Sequence, residues 1–191
     1  MDVERHKMRI ISGSARGTKL YTLEGETTRP TLDRVKESLF NIISNEIPNS
    51  VFLDLFSGSG AIGLEAASRG AKKVIMCEKS RDAEKIIKKN ISKTHLENRV
   101  KLYVEDYEKF LLNELDEKID IIYIDPPYKT NYAAKGIEIL VKKQLLKSES
   151  LIIIETDIEK EVISELEKIK EIEVKNIKKY GRAVCIFVGL V

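Results

Sequence analysis

Val51-Phe52-Leu53-Asp54-Leu55-Phe56-Ser57-Gly58-Ser59-Gly60-Ala61-Ile62-Gly63 is the stretch on which the fold turns. A short apolar run ends in an acid, passes through a glycine-punctuated loop and enters an alanine-rich segment that closes at Gly70. This pattern reads as a strand over 51–55, a tight turn and a helix over 60–69. Gly58 and Gly60 let the backbone turn sharply and approach a ligand, and Gly63 completes the G-x-G-x-x-G spacing found at dinucleotide sites.

Working outward, strand and helix patterns alternate. Strands are predicted over 73–77, 100–104, 119–124 and 151–155, with helices over 81–94, 107–115, 131–146 and 158–169 between and after them. Two last strands, 172–177 and 183–188, have no helix between them and read as an antiparallel hairpin at a sheet edge. On the amino-terminal side, a helix over 31–46 follows from the spacing of Leu32, Val35, Leu39, Ile42, Ile43 and Ile47, with Thr31 as its cap. Before it, 8–11 and 19–23 read as short strands around Ser12-Gly13-Ser14-Ala15-Arg16-Gly17. The fold class is therefore α/β, a mainly parallel sheet with helices on both faces. The expected division is a basic amino-terminal hairpin extension over residues 1–30 and a main domain over 31–191.

Composition narrows the function classes. The chain of 191 residues is 42% hydrophobic and 34% charged, with a net charge of +2. That is a globular profile, not a disordered one. The charge is unevenly placed. Arg5, Lys7, Arg9, Arg16 and Lys19 occur with no acid among them, and Lys178, Lys179 and Arg182 form a second such group with Lys175. Local clusters of this kind hold polyanions. Cys77 and Cys185 each lie in an apolar run, which fits reduced thiols, and neither they nor His6 and His95 have metal-ligand spacing. The start of the chain lacks the apolar stretch of a signal peptide, and no run of about 18 apolar residues occurs. A cytoplasmic protein without a metal is expected.

Acids at three successive strands extend the glycine loop into a site. Asp54 lies next to last in the first strand, Glu78 follows the second strand 20 residues after Gly58, and Glu105-Asp106 follow the third. That separation is usual for the acid that grips a ribose hydroxyl pair, and open α/β sheets bind ligands at the carboxyl ends of adjacent strands. Asp106 is placed to accept from an adenine amino group.

Asp125-Pro126-Pro127-Tyr128 directly follows the fourth strand and indicates the reaction. Two prolines stiffen the backbone and remove two N–H donors, so carbonyls and the Asp125 carboxylate remain as acceptors. An amine on a heteroaromatic ring is a weak nucleophile because its lone pair is delocalised. Accepting both its N–H bonds, at Asp125 and at the Pro126 carbonyl, favours a pyramidal nitrogen able to attack a methyl sulfonium. Tyr128 can stack on the extruded base, a contact worth roughly 1–3 kcal/mol.

The chain resembles the small-subunit (16S) ribosomal RNA guanine-N2 methyltransferase D family over nearly its whole length. The resemblance rests on Arg9-Ile10-Ile11-Ser12-Gly13, Arg16-Gly17, Arg29-Pro30-Thr31, Asp33-Arg34-Val35-Lys36-Glu37, Asp54 to Gly60, Leu64-Glu65-Ala66, Ser68-Arg69-Gly70, Glu78, Asn90 and Asp125-Pro126-Pro127-Tyr128. It departs at Ala15, where family members often have a tryptophan or similar residue. The resemblance implies a Rossmann-like class I methyltransferase whose seven-stranded sheet has the order 3-2-1-4-5-7-6, with residues 1–30 as the appended hairpin. It implies S-adenosyl-L-methionine held by Asp54, Phe56, Gly58, Gly60, Glu78 and Asp106, with Arg29 and Thr31 near its methionine end. It implies catalysis by Asp125, Pro126 and Tyr128, and ribosomal RNA, in a small-subunit particle, as partner. Alternatives are an adenine-N6 methyltransferase on RNA or DNA, a nicotinamide-dependent oxidoreductase sharing the glycine loop, and a non-catalytic RNA-binding assembly factor. The oxidoreductase would have no use for Asp-Pro-Pro-Tyr. A DNA enzyme has little room here for a separate DNA-reading domain, and the intact motif speaks against loss of catalysis.

Overall fold

The computed structural model describes residues 8–23, 30–127 and 131–191, without the side chains of 30–32. Arg5, Lys7, Arg29, Tyr128 and the side chain of Thr31 thus lie outside the described residues.

The alternating pattern folds as a seven-stranded sheet flanked by helices. Its strands are β3 (Val51–Asp54), β4 (Lys73–Cys77), β5 (Val100–Tyr103), β6 (Ile119–Ile124), β7 (Leu146–Thr156), β8 (Ile172–Tyr180) and β9 (Ala183–Leu190). They lie in the order β5-β4-β3-β6-β7-β9-β8, which reads 3-2-1-4-5-7-6 when β3 is counted first. The first five run parallel; β9 is antiparallel to both β7 and β8. The helices are α1 (Pro30–Ile42), α2 (Ala61–Ser68), α3 (Arg81–Thr94), α4 (Tyr107–Lys109), α5 (Tyr132–Lys142) and α6 (Glu159–Leu166), and a π-helical turn (Phe110–Glu114) extends α4. No helix among the described residues is long and apolar enough to cross a membrane.

A parallel sheet covered on both faces needs apolar residues on both, and successive strand residues serve opposite sides. Leu53, Ile75, Ile122 and Ile124 pack with α4, α5 and α6, through residues such as Phe110, Ile137 and Leu166. Phe52, Val74, Met76 and Ile121 pack with α1, α2 and α3, through Leu39, Leu64 and Ile87. The amino-terminal hairpin, β1 (Met8–Arg9) paired with β2 (Lys19–Leu20), joins this second core through the buried Ile10, Ala15 and Leu20. The arm is thus packed into the domain rather than hung from it.

Several boundaries differ from the sequence reading. Pro30 takes a first-turn position in α1, where its missing N–H costs nothing, so Thr31 lies inside the helix and is not its cap. The helix ends at Ile42, and the Glu46 N–H bonds back only three residues, to Ile43. α5 ends at Lys142 rather than 146. β7 begins five residues before the predicted 151, because the polar Lys147 to Ser150 stretch is absorbed at a register irregularity opposite Ile119 and Ile121. There the Ser150 hydroxyl donates to Ile119 O (2.6 Å) and accepts from Lys147 N (2.7 Å), which supplies the bonds that irregular pairing loses.

Candidate active site

The chain leaves β3 toward β4 and β5 on one side, then returns to β6 and β7 on the other. The crevice outside the carboxyl ends of β3 and β6 is therefore the topological switch point, the usual ligand site of an open α/β sheet. Asp54, Glu78, Asp106 and Asp125 all stand at this edge, each at or just after the end of one of the four adjacent strands β3, β4, β5 and β6.

The loop between β3 and α2 is held from below. Gly58 and Gly60 have φ of +52° and +80°, the left-handed conformation that glycine adopts without penalty. Gly63 is required by packing: a Cβ there would lie 2.5 Å from Met76 Cε and 3.1 Å from Val74 Cγ1, so its absence lets α2 close onto β4. The Asp54 carboxylate turns inward and accepts from Gly63 N (3.1 Å), while its carbonyl accepts from Ser57 Oγ (2.9 Å). Burial lifts the Asp54 carboxyl from its ordinary 3.8 to about 7; the Gly63 N–H opposes that rise and the negative charge of Glu78 adds to it.

Glu78 closes the loop on the β4 side. Its Oε2 accepts from Gly58 N (2.9 Å) and its Oε1 from Ser80 N (2.8 Å). A carboxylate oxygen has two acceptor sites, so each keeps one for a further donor. Two hydroxyls on adjacent carbons suit that pair. Asp106 caps α4 by accepting from Glu108 N (3.0 Å) through Oδ1. Glu105, its neighbour in the sequence reading, accepts instead from the Asp106 backbone N–H (2.8 Å).

Phe56 is half-buried and belongs to an aromatic group that sequence periodicity did not reveal. Its ring lies 5.1 Å from Tyr107 and 6.1 Å from Tyr132, nearly parallel to the latter, and those two tyrosines are 4.9 Å apart. One comes from the loop after β3, one from α4 and one from the start of α5. Only the tertiary fold brings them together.

Asp125 and Pro126 follow β6 directly, with Asp125 exposed at the sheet edge. Behind them the buried Tyr123 hydroxyl donates to Glu155 on β7, and burial raises the pKa of that glutamate. Cys185 pairs with Glu155 across β7 and β9. Tyr123 and Glu155 thus form a hydrogen-bonded pair behind the motif.

Of the basic residues, Arg9, Arg16, Lys19, Lys178, Lys179 and Arg182 are all exposed. Arg9 Nε lies 3.8 Å from Asp33 on α1, and Lys179 pairs with Glu159 (2.6 Å). The two basic groups flank α1. Lys36 of α1 donates to Arg9 O (2.5 Å), and Ser38 bonds the Tyr180 hydroxyl beside the β8–β9 turn (2.8 Å). α3 adds two lysines that the sequence reading passed over: the ammonium groups of Lys93 and Lys89 lie 4.3 Å and 6.0 Å from the centre of the Tyr21 ring.

The arm is anchored by buried polar groups on α2. Glu65, fully buried, accepts from Ile11 N (2.8 Å), Ser12 N (3.0 Å) and Arg69 Nε (2.7 Å), and lies 3.3 Å from Lys36 Nζ. Burial pulls the Lys36 pKa down, against the charge of Glu65. Ser68 Oγ donates to Ser12 O (2.6 Å) and accepts from Ala15 N (3.0 Å). These contacts bring the Arg9–Gly13, Asp33–Glu37 and Leu64–Ala66 stretches together. They are three sides of one joint.

A family model described as conserved hypothetical protein 95 matches residues 8–189. The chain is 37% identical over 160 residues to the ribosomal RNA small subunit methyltransferase D of Haemophilus influenzae, covering 83% of each protein. It belongs to the ribosomal RNA small subunit methyltransferase D family. The Escherichia coli member is 35% identical over 154 residues, 80% of this chain and 76% of that protein. An Escherichia coli structure solved as a candidate methyltransferase superposes with a TM-score of 0.82 at 28% identity, covering 96% of this chain and 97% of that one. The fold is that of a class I methyltransferase.

Proposed function

We propose that this member of the family transfers a methyl group from S-adenosyl-L-methionine to the exocyclic N2 of a guanine in 16S ribosomal RNA, in a small-subunit particle in the cytoplasm. The observation that carries the reading is the placement of Asp125-Pro126 at the end of β6, across the switch point from the glycine loop and Glu78. A donor held on β3, β4 and β5 and an amine held on β6 then meet at the crevice between β3 and β6.

The residues fit the cofactor. Glu78 retains one acceptor site on each oxygen for the two ribose hydroxyls, in addition to Gly58 N and Ser80 N. Gly58 and Gly60 present backbone without side chains, Phe56 offers an apolar wall, and Asp106 keeps an oxygen beyond its cap for an adenine amino group. Asp54 acts from beneath, through Gly63 and Ser57, by holding the loop in shape. Arg29 and Thr31 are assigned to the methionine end. When bound, S-adenosyl-L-methionine supplies an electrophilic methyl group on a sulfonium centre.

The chain's own task is to orient and unmask the amine. The Asp125 carboxylate and the Pro126 carbonyl accept its two N–H bonds and draw the nitrogen toward a pyramidal shape. Tyr128 stacks on the flipped base, whose extrusion costs a few kcal/mol. Holding amine and donor in line contributes by proximity. Residues 1–30, with Arg5, Lys7, Arg9, Arg16 and Lys19, and the end of β8 with the turn after it, with Lys178, Lys179 and Arg182, hold phosphates.

The test supplies small ribosomal subunits from a strain lacking the gene with the protein and methyl-labelled cofactor, then digests the RNA to nucleosides. Label recovered in N2-methylguanosine supports the reading. Label in N6-methyladenosine, or none in RNA, overturns it.

A further inference from the structure

Asn90 sits within α3 and is fully buried, with every hydrogen of its side-chain amide used. Its Oδ1 accepts from Tyr21 N (2.8 Å), and its Nδ2 donates both to Tyr21 O (2.9 Å) and to Ser59 O (2.9 Å). The amide thus acts as a strand partner for Tyr21, one residue beyond β2. The same group grips the carbonyl between Gly58 and Gly60. Glu65 and Ser68 hold residues 11–15 of the arm from α2, away from the loop.

We infer that Asn90 is a positioning residue that locks the basic arm to the glycine loop, so that RNA on the arm and cofactor in the loop strengthen each other's binding. The inference rests on the proposed reading of the arm as an RNA-holding element. Its physical basis is economy of arrangements. Either ligand fixes its own segment, and through Asn90 fixes the other, so the second ligand meets a site already ordered. Such linkage is reciprocal by thermodynamic necessity. The placement of Asn90 also gives it a role distinct from general support. Three bonds to two separate segments leave the amide one arrangement that satisfies all of them.

The experiment measures binding of labelled S-adenosylhomocysteine to the full chain, with and without saturating small ribosomal subunits, and takes the ratio of the two affinities. The wild type is expected to show tighter binding with subunits, by about 5–150-fold, the usual range for coupled sites. Asn90→Ala brings the ratio close to one, whereas Ser68→Ala, which loosens the arm without touching the loop, leaves it unchanged. Tyr21→Pro removes the N–H that Oδ1 accepts together with the ring that Lys93 and Lys89 face, with Tyr21→Ala as the control that loses the ring alone, and it stands in should Asn90→Ala fail to fold; its ratio falls below that of the control. A wild-type ratio of one overturns the inference, as does an undiminished ratio in Asn90→Ala and Tyr21→Pro. Arg16→Glu separates the two ideas. If it leaves subunit affinity unchanged, the arm reading fails and takes this inference with it. If it lowers that affinity while Asn90→Ala keeps the full ratio, only the coupling is wrong.

Discussion

Glu78 Oε2 accepts the backbone N–H of Gly58 at 2.9 Å, a bond that joins the end of β4 to the glycine loop after β3. With Oε1 taken by Ser80 N, both carboxylate oxygens face N–H donors. This makes the residue intolerant of an amide. Glu78→Gln turns an NH₂ toward one of those donors, so it should weaken S-adenosylhomocysteine binding nearly as much as Glu78→Ala, each by roughly 1–3 kcal/mol. Titration calorimetry on folded protein decides the matter, and wild-type affinity in either variant would remove Glu78 from the site.

Glu65 predicts a stability effect of a different kind. Removing a buried carboxylate that faces Lys36 and Arg69 leaves the buried ammonium without its partner, a change that costs about 3–5 kcal/mol. Glu65→Ala should therefore lower the urea midpoint strongly. A loss within about 0.5 kcal/mol, ordinary for a surface substitution, would show that the joint is not what anchors the arm.

How far the sequence disclosed this arrangement depends on what kind of pattern each residue leaves. The parallel sheet was legible because buried strands are apolar runs and the helices between them carry their own period. The glycine loop, Glu78 and Asp125-Pro126-Pro127 stood out as candidates because chemistry fixes both residue type and spacing, and the fold sets them along one edge of the sheet. The bonds of Asn90 to the arm and the loop, and the grouping of Phe56 with Tyr107 and Tyr132, were not legible, since they come from contacts between segments far apart in the chain. Glu65 left a faint trace: a charge within Ala61–Ser68, an otherwise apolar and buried helix, must find a partner. The start of β7 left none, because Lys147 to Ser150 carry no apolar alternation and the bonds come from Ser150.

Asp54 gives a pH dependence with a defined sign. Its carboxyl is raised in the fold from 3.8 to about 7, so between those values the folded chain holds a proton that the unfolded chain has lost. Stability from this group therefore falls as pH rises through the window from 3.8 to about 7, and levels off above it. Asp54→Asn should remove that slope. Measured by denaturant unfolding across the window, the wild-type stability minus the variant's should decline with rising pH, and a flat or rising difference would contradict the buried position of the carboxyl.

The arm makes an electrostatic prediction. Arg16 and Lys19 are exposed, and reversing both to Glu should lower small-subunit or RNA affinity. Each lost phosphate contact should also reduce the slope of log affinity against log salt by about one. Cofactor affinity without RNA should be unchanged. Filter binding over a salt series reads both quantities, and an unaltered slope would place the phosphates elsewhere.

In the proposed mechanism Asp125 activates the amine and does not hold the cofactor. Single-turnover methylation of small subunits by Asp125→Asn and Asp125→Ala, set beside their S-adenosylhomocysteine affinities, tests it most directly. Asparagine keeps the size but offers an NH₂ where an acceptor oxygen stood, and alanine offers nothing; loss of one such transition-state hydrogen bond costs about 10²–10³ in rate. A rate collapse of that order is expected in both variants, with cofactor affinity held within a few-fold. Near-normal methylation by Asp125→Ala would contradict it.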